Sequence, residues 1–271
     1  MTTYLIVNAD DYGRTPGVSL GIREAHLRGI VTSTTVLMNM REVQEDLGRA
    51  LSECPHLGLG VHLVLTSGGP VPSLANGGGA FPDMAEQVER LSRLDPAEAM
   101  AEWHAQIERF VAVTGRAPDH LDSHHHVSYS SEMLFRAMLE LADEYGCAIR
   151  VPRPANGGPM VGLPSALAPV VEEFVVRLVS EFAPRCPDYF EGTFYDAQAT
   201  QTTLLNLLAD LPSGVTELMC HPGYADAELL TGSTYNRQRE TELRVLTDPA
   251  VSALVKEWGI QPITFQGLRL D

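Results

Sequence analysis

Short apolar runs alternate with amphipathic segments along this chain, and that alternation restricts its fold more than any other feature. Residues 4–9, 30–38, 57–65, 147–151, 215–220 and 260–265 read as strands, with a weaker one at 188–191. Between them, 16–29, 42–54, 96–113, 131–145, 165–182, 201–211, 235–246 and 249–258 read as helices, several opened by Ser, Thr or Pro and closed by Gly. Seven or eight such units call for a mostly parallel sheet. A length of 271 residues suits a single α/β domain, 1–271, folded as a distorted (β/α) TIM-like barrel. A doubly wound open sheet is the alternative. No repeat, charged tail or linker divides the chain.

The residues that end the apolar runs carry the chemistry. Asp10-Asp11 follows the first, His62 lies in the third, His124 lies in a histidine-rich stretch, and His221-Pro222-Gly223 follows the run at 215–220. In a barrel these C-terminal strand ends meet at one rim, where such folds carry their sites. The histidine-rich stretch is His120-Leu-Asp-Ser-His-His-His126, four of the nine histidines in seven residues. If it is extended, alternation puts His120, Asp122, His124 and His126 on one face and His125 on the other. Gly58 and Gly60 share the face of His62 and would leave space beside it. Adjacent carboxylates repel, so Asp10-Asp11 asks for a cation, one acid binding it while the other faces the attacking water. Asp11, His62 and His124 together make an Asp-His-His set, three protein ligands that leave a position open, as catalytic sites do. His221 can be a ligand or a proton donor. Glu217, on the same strand face as His221, needs a partner inside a barrel. Arg150 and Arg153 flank a proline turn, where either can hold a substrate oxygen or neutralise an acidic rim. Residues 67–82 are rich in Gly and Pro and read as a loop of the kind that closes over a site.

Charge narrows the class of partner. With 35 acidic and 19 basic residues the formal charge is −16, which argues against nucleic acid and anionic membrane surfaces. The four cysteines form no CxxC pair, so neither a zinc knuckle nor a disulfide framework is expected. The N-terminus lacks a basic leader and no run approaches ~18 apolar residues, so a cytoplasmic location is expected.

At these residues the chain resembles the YdjC/ChbG family of carbohydrate deacetylases. The matching segments are Ile6-Val-Asn-Ala-Asp-Asp-Tyr-Gly13, Gly29-Ile-Val-Thr-Ser-Thr-Thr35, Gly60-Val-His-Leu-Val-Leu-Thr66, His120-Leu-Asp-Ser-His-His-His-Val127 and Met219-Cys-His-Pro222. The resemblance implies a divalent metal, usually magnesium, held by Asp11, His62 and His124, with Asp10 as general base and His221 as acid. It also implies a homodimer. Ser128 departs from the family pattern, which often carries a histidine there. Ligand chemistry alone favours zinc or another transition metal over magnesium, because imidazole suits those ions better. The expected reaction is hydrolytic N-deacetylation of an amino sugar or short oligosaccharide, with Arg150 and His126 as candidate substrate contacts. Two other expectations are a metal-dependent phosphoesterase and a metal-requiring sugar-binding protein.

Overall fold

The computed structural model describes residues 2–68, 95–155 and 168–268. Its strands are β1 (Thr3–Tyr12), β2 (Ser33–Val36), β3 (Gly58–Leu63), β4 (His120–Ser123), β5 (Ala148–Ile149), β6 (Tyr189–Glu191), β7 (Gly214–Cys220) and β8 (Gln261–Pro262). The helices are α1 (Pro16–Arg28), α2 (Val43–Glu53), α3 (Pro96–Thr114), α4 (Glu132–Tyr145), α5 (Ala168–Phe182), α6 (Gln201–Ala209), α7 (Ala227–Gly232), α8 (Arg237–Leu246) and α9 (Pro249–Glu257). Local chemistry sets several of the ends. The Thr15 side chain accepts from Val18 N and Pro16 opens α1, Asp95 and Pro96 do the same for α3, and Gly115 and Gly146 close α3 and α4 in left-handed conformations.

All the strand pairings are parallel, in the order β5-β4-β3-β2-β1-β7-β6, with β8 also beside β1. The sheet curls, and its two end strands are linked by loop hydrogen bonds: Phe190 N donates to Arg153 O (2.7 Å) and Ile149 N to Arg185 O (2.9 Å). The result is a distorted α/β barrel. Strands buried on both faces explain why the apolar runs are continuous instead of alternating.

Several expectations change. The closing strand expected over 260–265 shrinks to Gln261–Pro262; Ile263 N still donates to Leu5 O (2.9 Å), and the chain then turns into a short 3-10 helix at Phe265–Gly267. Helix α7 is unanticipated. Most of the loop at 67–82 lies outside the described residues, as do the first residues of the helix expected from 165.

The histidine-rich stretch departs most. Extended structure stops at Ser123, and His124–Ser130 forms a tight 3-10 turn in which His125 (φ 55°) and His126 (φ 54°) are left-handed. Strand alternation therefore does not govern His125, and the expectation that it points away from the site is corrected below. Ser128, the position that departs from the family pattern, pins this turn: its backbone N donates to Ser123 Oγ (3.0 Å), and the two hydroxyls lie 2.7 Å apart.

Candidate active site

Register brings the site together. β3 and β4 pair His62 with Asp122, and β1 and β7 pair Ala9 with Cys220, so Asp10 and His221 follow side by side one step later. In a regular strand Asp10 and Asp11 would face opposite sides. Here the β1–β2 register shifts between Ala9 and Tyr12, and Asp11 is left-handed (φ 73°), so both carboxylates reach the same rim. A left-handed aspartate is uncommon outside turns and costs backbone strain. That strain buys a second acidic side chain at one place.

Asp11, His62 and His124 converge. Asp11 Oδ1 is 3.0 Å from His124 Nδ1 and 3.6 Å from His62 Nε2, and one ligand atom from each residue lies within 4.8 Å of the others. Among the described residues His124 Nε2 has no hydrogen-bond partner. All three residues are buried. The second oxygen of Asp11 accepts from Arg239 of α8. Burial alone would raise the Asp11 carboxyl, but His124, Arg239 and His62 outweigh it and hold it well below the usual carboxylate range. His62 is braced from behind by Asp122, whose Oδ1 is 2.7 Å from His62 Nδ1 and also accepts from Thr35 Oγ1 at 2.6 Å. Burial pushes the His62 imidazole down; the charge and hydrogen bond of Asp122 more than reverse that, so its pKa is raised. This carboxylate–histidine arrangement fixes the tautomer that leaves Nε2 free toward Asp11.

Arg150 lies within the barrel and is wholly buried. Its guanidinium holds both oxygens of Asp10 (2.8 and 2.7 Å), meets Asp122 Oδ2 at 3.2 Å and donates through Nε to Glu217 Oε1 at 2.8 Å. Glu217 thus has the partner that its inward position requires. Arg150, the expected substrate contact, is engaged by Asp10, Asp122 and Glu217 and is not among the residues that line the cavity. Arg153 is exposed.

The cavity over this centre is about 450 Å³ and is bordered by Asp10, Asp11, His62, His124 and His221. His125 and His126 also line it. His125 packs its ring 3.9 Å from that of His124 and puts Nδ1 3.1 Å from Thr66 Oγ1, so it faces the site and not away from it. His126 is buried, its Nδ1 without a hydrogen-bond partner among the described residues, and burial pushes it down to about 3. His221 Nε2 is 4.0 Å from Asp10 Oδ2. Burial, helped by Arg239 and Arg150 and opposed by Asp10 and Asp11, lowers His221 to about 4, so the imidazole rests neutral at neutral pH.

The sequence expectation about the glycines also changes. The space beside Gly60 is filled by the His120 imidazole, which stacks on Phe265 (3.7 Å, planes 9° apart). His120 is thus a core ring and not a ligand. Arg239, Asn8, Tyr195 and Tyr235 belong to the site and escape sequence reasoning. Asn8 bridges Asp10 and Asp122 at 3.3 Å each, and its position two residues before Asp10 on a strand is a usable signal. Arg239 has none, being one arginine among several on its helix.

A curled parallel α/β sheet with a buried carboxylate–imidazole centre at its C-terminal strand ends defines an enzyme-like barrel of the metal-site class. The family model for YdjC-like proteins matches residues 4–257, and the chain belongs to that family. It is 39% identical over 270 residues to a carbohydrate deacetylase of Geobacillus stearothermophilus, covering 98% of each chain. To a chitooligosaccharide deacetylase of Proteus mirabilis it is 36% identical over 274 residues, covering 99% of this chain and 100% of the other. Among solved structures it is similar to an Enterococcus faecalis protein described in terms of cellobiose-phosphate cleavage, with a TM-score of 0.85, 34% identity and full coverage of both chains. A family 4 carbohydrate esterase from Streptomyces lividans shares the fold at a TM-score of 0.50 and 10% identity, over 99% and 97% of the two chains. Among the described residues no helix is long and apolar enough to cross a membrane.

Proposed function

We propose that this chain is a metal-dependent carbohydrate deacetylase that hydrolyses the acetamido group of an N-acetylated amino sugar or short oligosaccharide. The observation that carries this reading is the convergence of Asp11, His62 and His124 beside Asp10 and His221 on one cavity. Full-length relatives named as carbohydrate and chitooligosaccharide deacetylases support the substrate class.

The donor set fits a divalent cation: two imidazoles and one carboxylate, buried and closely spaced, with the carboxylate oriented by Arg239 and one imidazole by Asp122. Such an ion would polarise the amide carbonyl and make water a stronger nucleophile near neutral pH. Two imidazoles favour zinc or another transition metal, the family resemblance favours magnesium, and elemental analysis of the purified protein decides between them.

The chain's own residues then divide the proton work. Arg150 grips both Asp10 oxygens and fixes the carboxylate against the cavity, where Asp10 takes a proton from the attacking water. The C–N bond breaks, acetate leaves, and His221 protonates the departing amine. Because His221 rests neutral, the proton it gives is one acquired during turnover, and Asp10 Oδ2 at 4.0 Å is a source within short reach. His126 borders the same cavity and is the candidate contact for the sugar. A cytoplasmic location and a homodimeric state complete the proposal, to be decided by cell fractionation and sedimentation equilibrium.

The test is acetate release from diacetylchitobiose and related sugars, with and without chelator. Turnover that chelator abolishes and metal restores is expected; no turnover on any N-acetyl sugar with metal bound would overturn the substrate assignment. Asp10→Asn should lower the rate about 10²- to 10⁴-fold while metal content stays unchanged. A sugar-binding protein without catalysis would show no rate to lose.

A further inference from the structure

One wall of the cavity is aromatic, and nothing in the proton chemistry uses it. Tyr195, in the segment after β6, and Tyr235, just before α8, stack with centroids 4.3 Å apart and planes 9° apart. His221 meets both rings edge-on, at 5.5 and 5.7 Å. All three line the cavity. Tyr235 is the anchored member. Its hydroxyl bonds to Glu242 and accepts from Asp196 N at 3.0 Å, and the Arg239 guanidinium lies 5.5 Å from its ring centre. Tyr195 is held at its backbone, its N donating to Thr193 O (2.8 Å) and its O accepting from Gln198 N (3.0 Å).

Tyr195 is nevertheless 42% exposed. Tyr235 stacks against one of its faces, and the residue lines the cavity. A braced, flat ring open to a cavity beside the proton donor is a binding surface in form. The face of an aromatic ring carries partial negative charge and attracts the partly positive edge of a partner, here aliphatic C–H groups. A pyranose with equatorial substituents presents such C–H groups on its flat faces; an axial hydroxyl on that face puts an oxygen there instead.

We propose that Tyr195 is the platform on which a pyranose ring of the substrate stacks, with Tyr235 and Arg239 bracing it from behind, so that the site selects equatorially substituted sugar units. This rests on the deacetylase reading and assigns the specificity of that site. Stacking beside His221 would also bring the scissile acetamido group within reach of the proton donor.

The experiment compares the unaltered protein with Tyr195→Ala and Tyr195→Phe, in acetate release from diacetylchitobiose and in calorimetric binding of the same disaccharide. Tyr195→Ala should raise KM about tenfold with kcat nearly unchanged, the signature of binding energy shared by ground and transition states. Tyr195→Phe, which keeps the ring, should stay within about twofold of the unaltered protein. An unchanged KM in the alanine variant, or an equal loss in the phenylalanine variant, overturns the platform while leaving deacetylation intact. If the unaltered, metal-loaded protein releases no acetate from this or any other N-acetyl sugar, the deacetylase reading fails and calorimetry judges the platform. Binding that Tyr195→Ala weakens sustains it, and absence of binding overturns it.

Discussion

Asp122 touches no solvent, yet it orients one candidate ligand and shares Arg150 with the candidate base. Replacing it with alanine leaves His62 free to turn and Arg150 with one carboxylate fewer. Metal affinity should fall about 10- to 100-fold, read by titration of the apo protein. His120 tests a different property. Buried, with neither ring nitrogen hydrogen-bonded among the described residues, it is pushed down to about 4, with Asp122 and Asp119 opposing burial and Arg150 reinforcing it. Because the folded pKa lies below the unfolded one, the unfolded chain binds the extra proton between about pH 6.5 and 4, and stability falls as pH falls through that window. In His120→Leu the loss of unfolding free energy from pH 7 to pH 5 should be smaller by about 2 kcal/mol, measured by urea denaturation at both values. At this scale the sequence is readable where a polar residue ends an apolar run, as with Asp10, Asp11, His62 and His221. It is silent on Arg239 and Tyr195, whose roles depend on which distant element each meets.

Elements are readable to within a few residues wherever apolar periodicity runs long, as for α3 and α4, and least where the backbone leaves regular conformations. Two consecutive left-handed histidines carry no mark in the sequence, so the turn after β4 reads as more strand. The bulge at Asp11 is likewise invisible, although it is what lets β1 present two acids at once. Between β3 and β4 the fit is close: a Cβ on Gly60 would run into the His120 imidazole, which is backed by Phe265 and cannot retreat. Gly60→Ala should therefore destabilise the protein by about 1–3 kcal/mol, seen as a lower urea midpoint with unchanged slope. Shortening the neighbour in the double variant Gly60→Ala/His120→Ala should recover part of that loss, since contacting residues couple.

For the molecule as a whole, the alternation of strand and helix was enough to reach a parallel barrel with its chemistry at the C-terminal strand ends. How the sheet closes was not readable, because β5 and β6 are too short to announce an edge and are joined by loop hydrogen bonds. The candidate metal ligands come from β1, β3 and the turn after β4, so a bound ion ties together segments that separate on unfolding. A divalent ion at a hundred times its dissociation constant should stabilise the fold by about 2.7 kcal/mol, and chelator should remove that gain in a thermal melt.

Consider finally where β1 finds its neighbours. Strand β1 lies between β2 and β7, with Ala9 paired to Cys220. The edge of β1 that pairs with β7 stays uncovered until residues 214–220 are made. Parallel pairings this remote in sequence close slowly and expose intermediates to aggregation. The strand that carries both acids is thus one whose cover comes late.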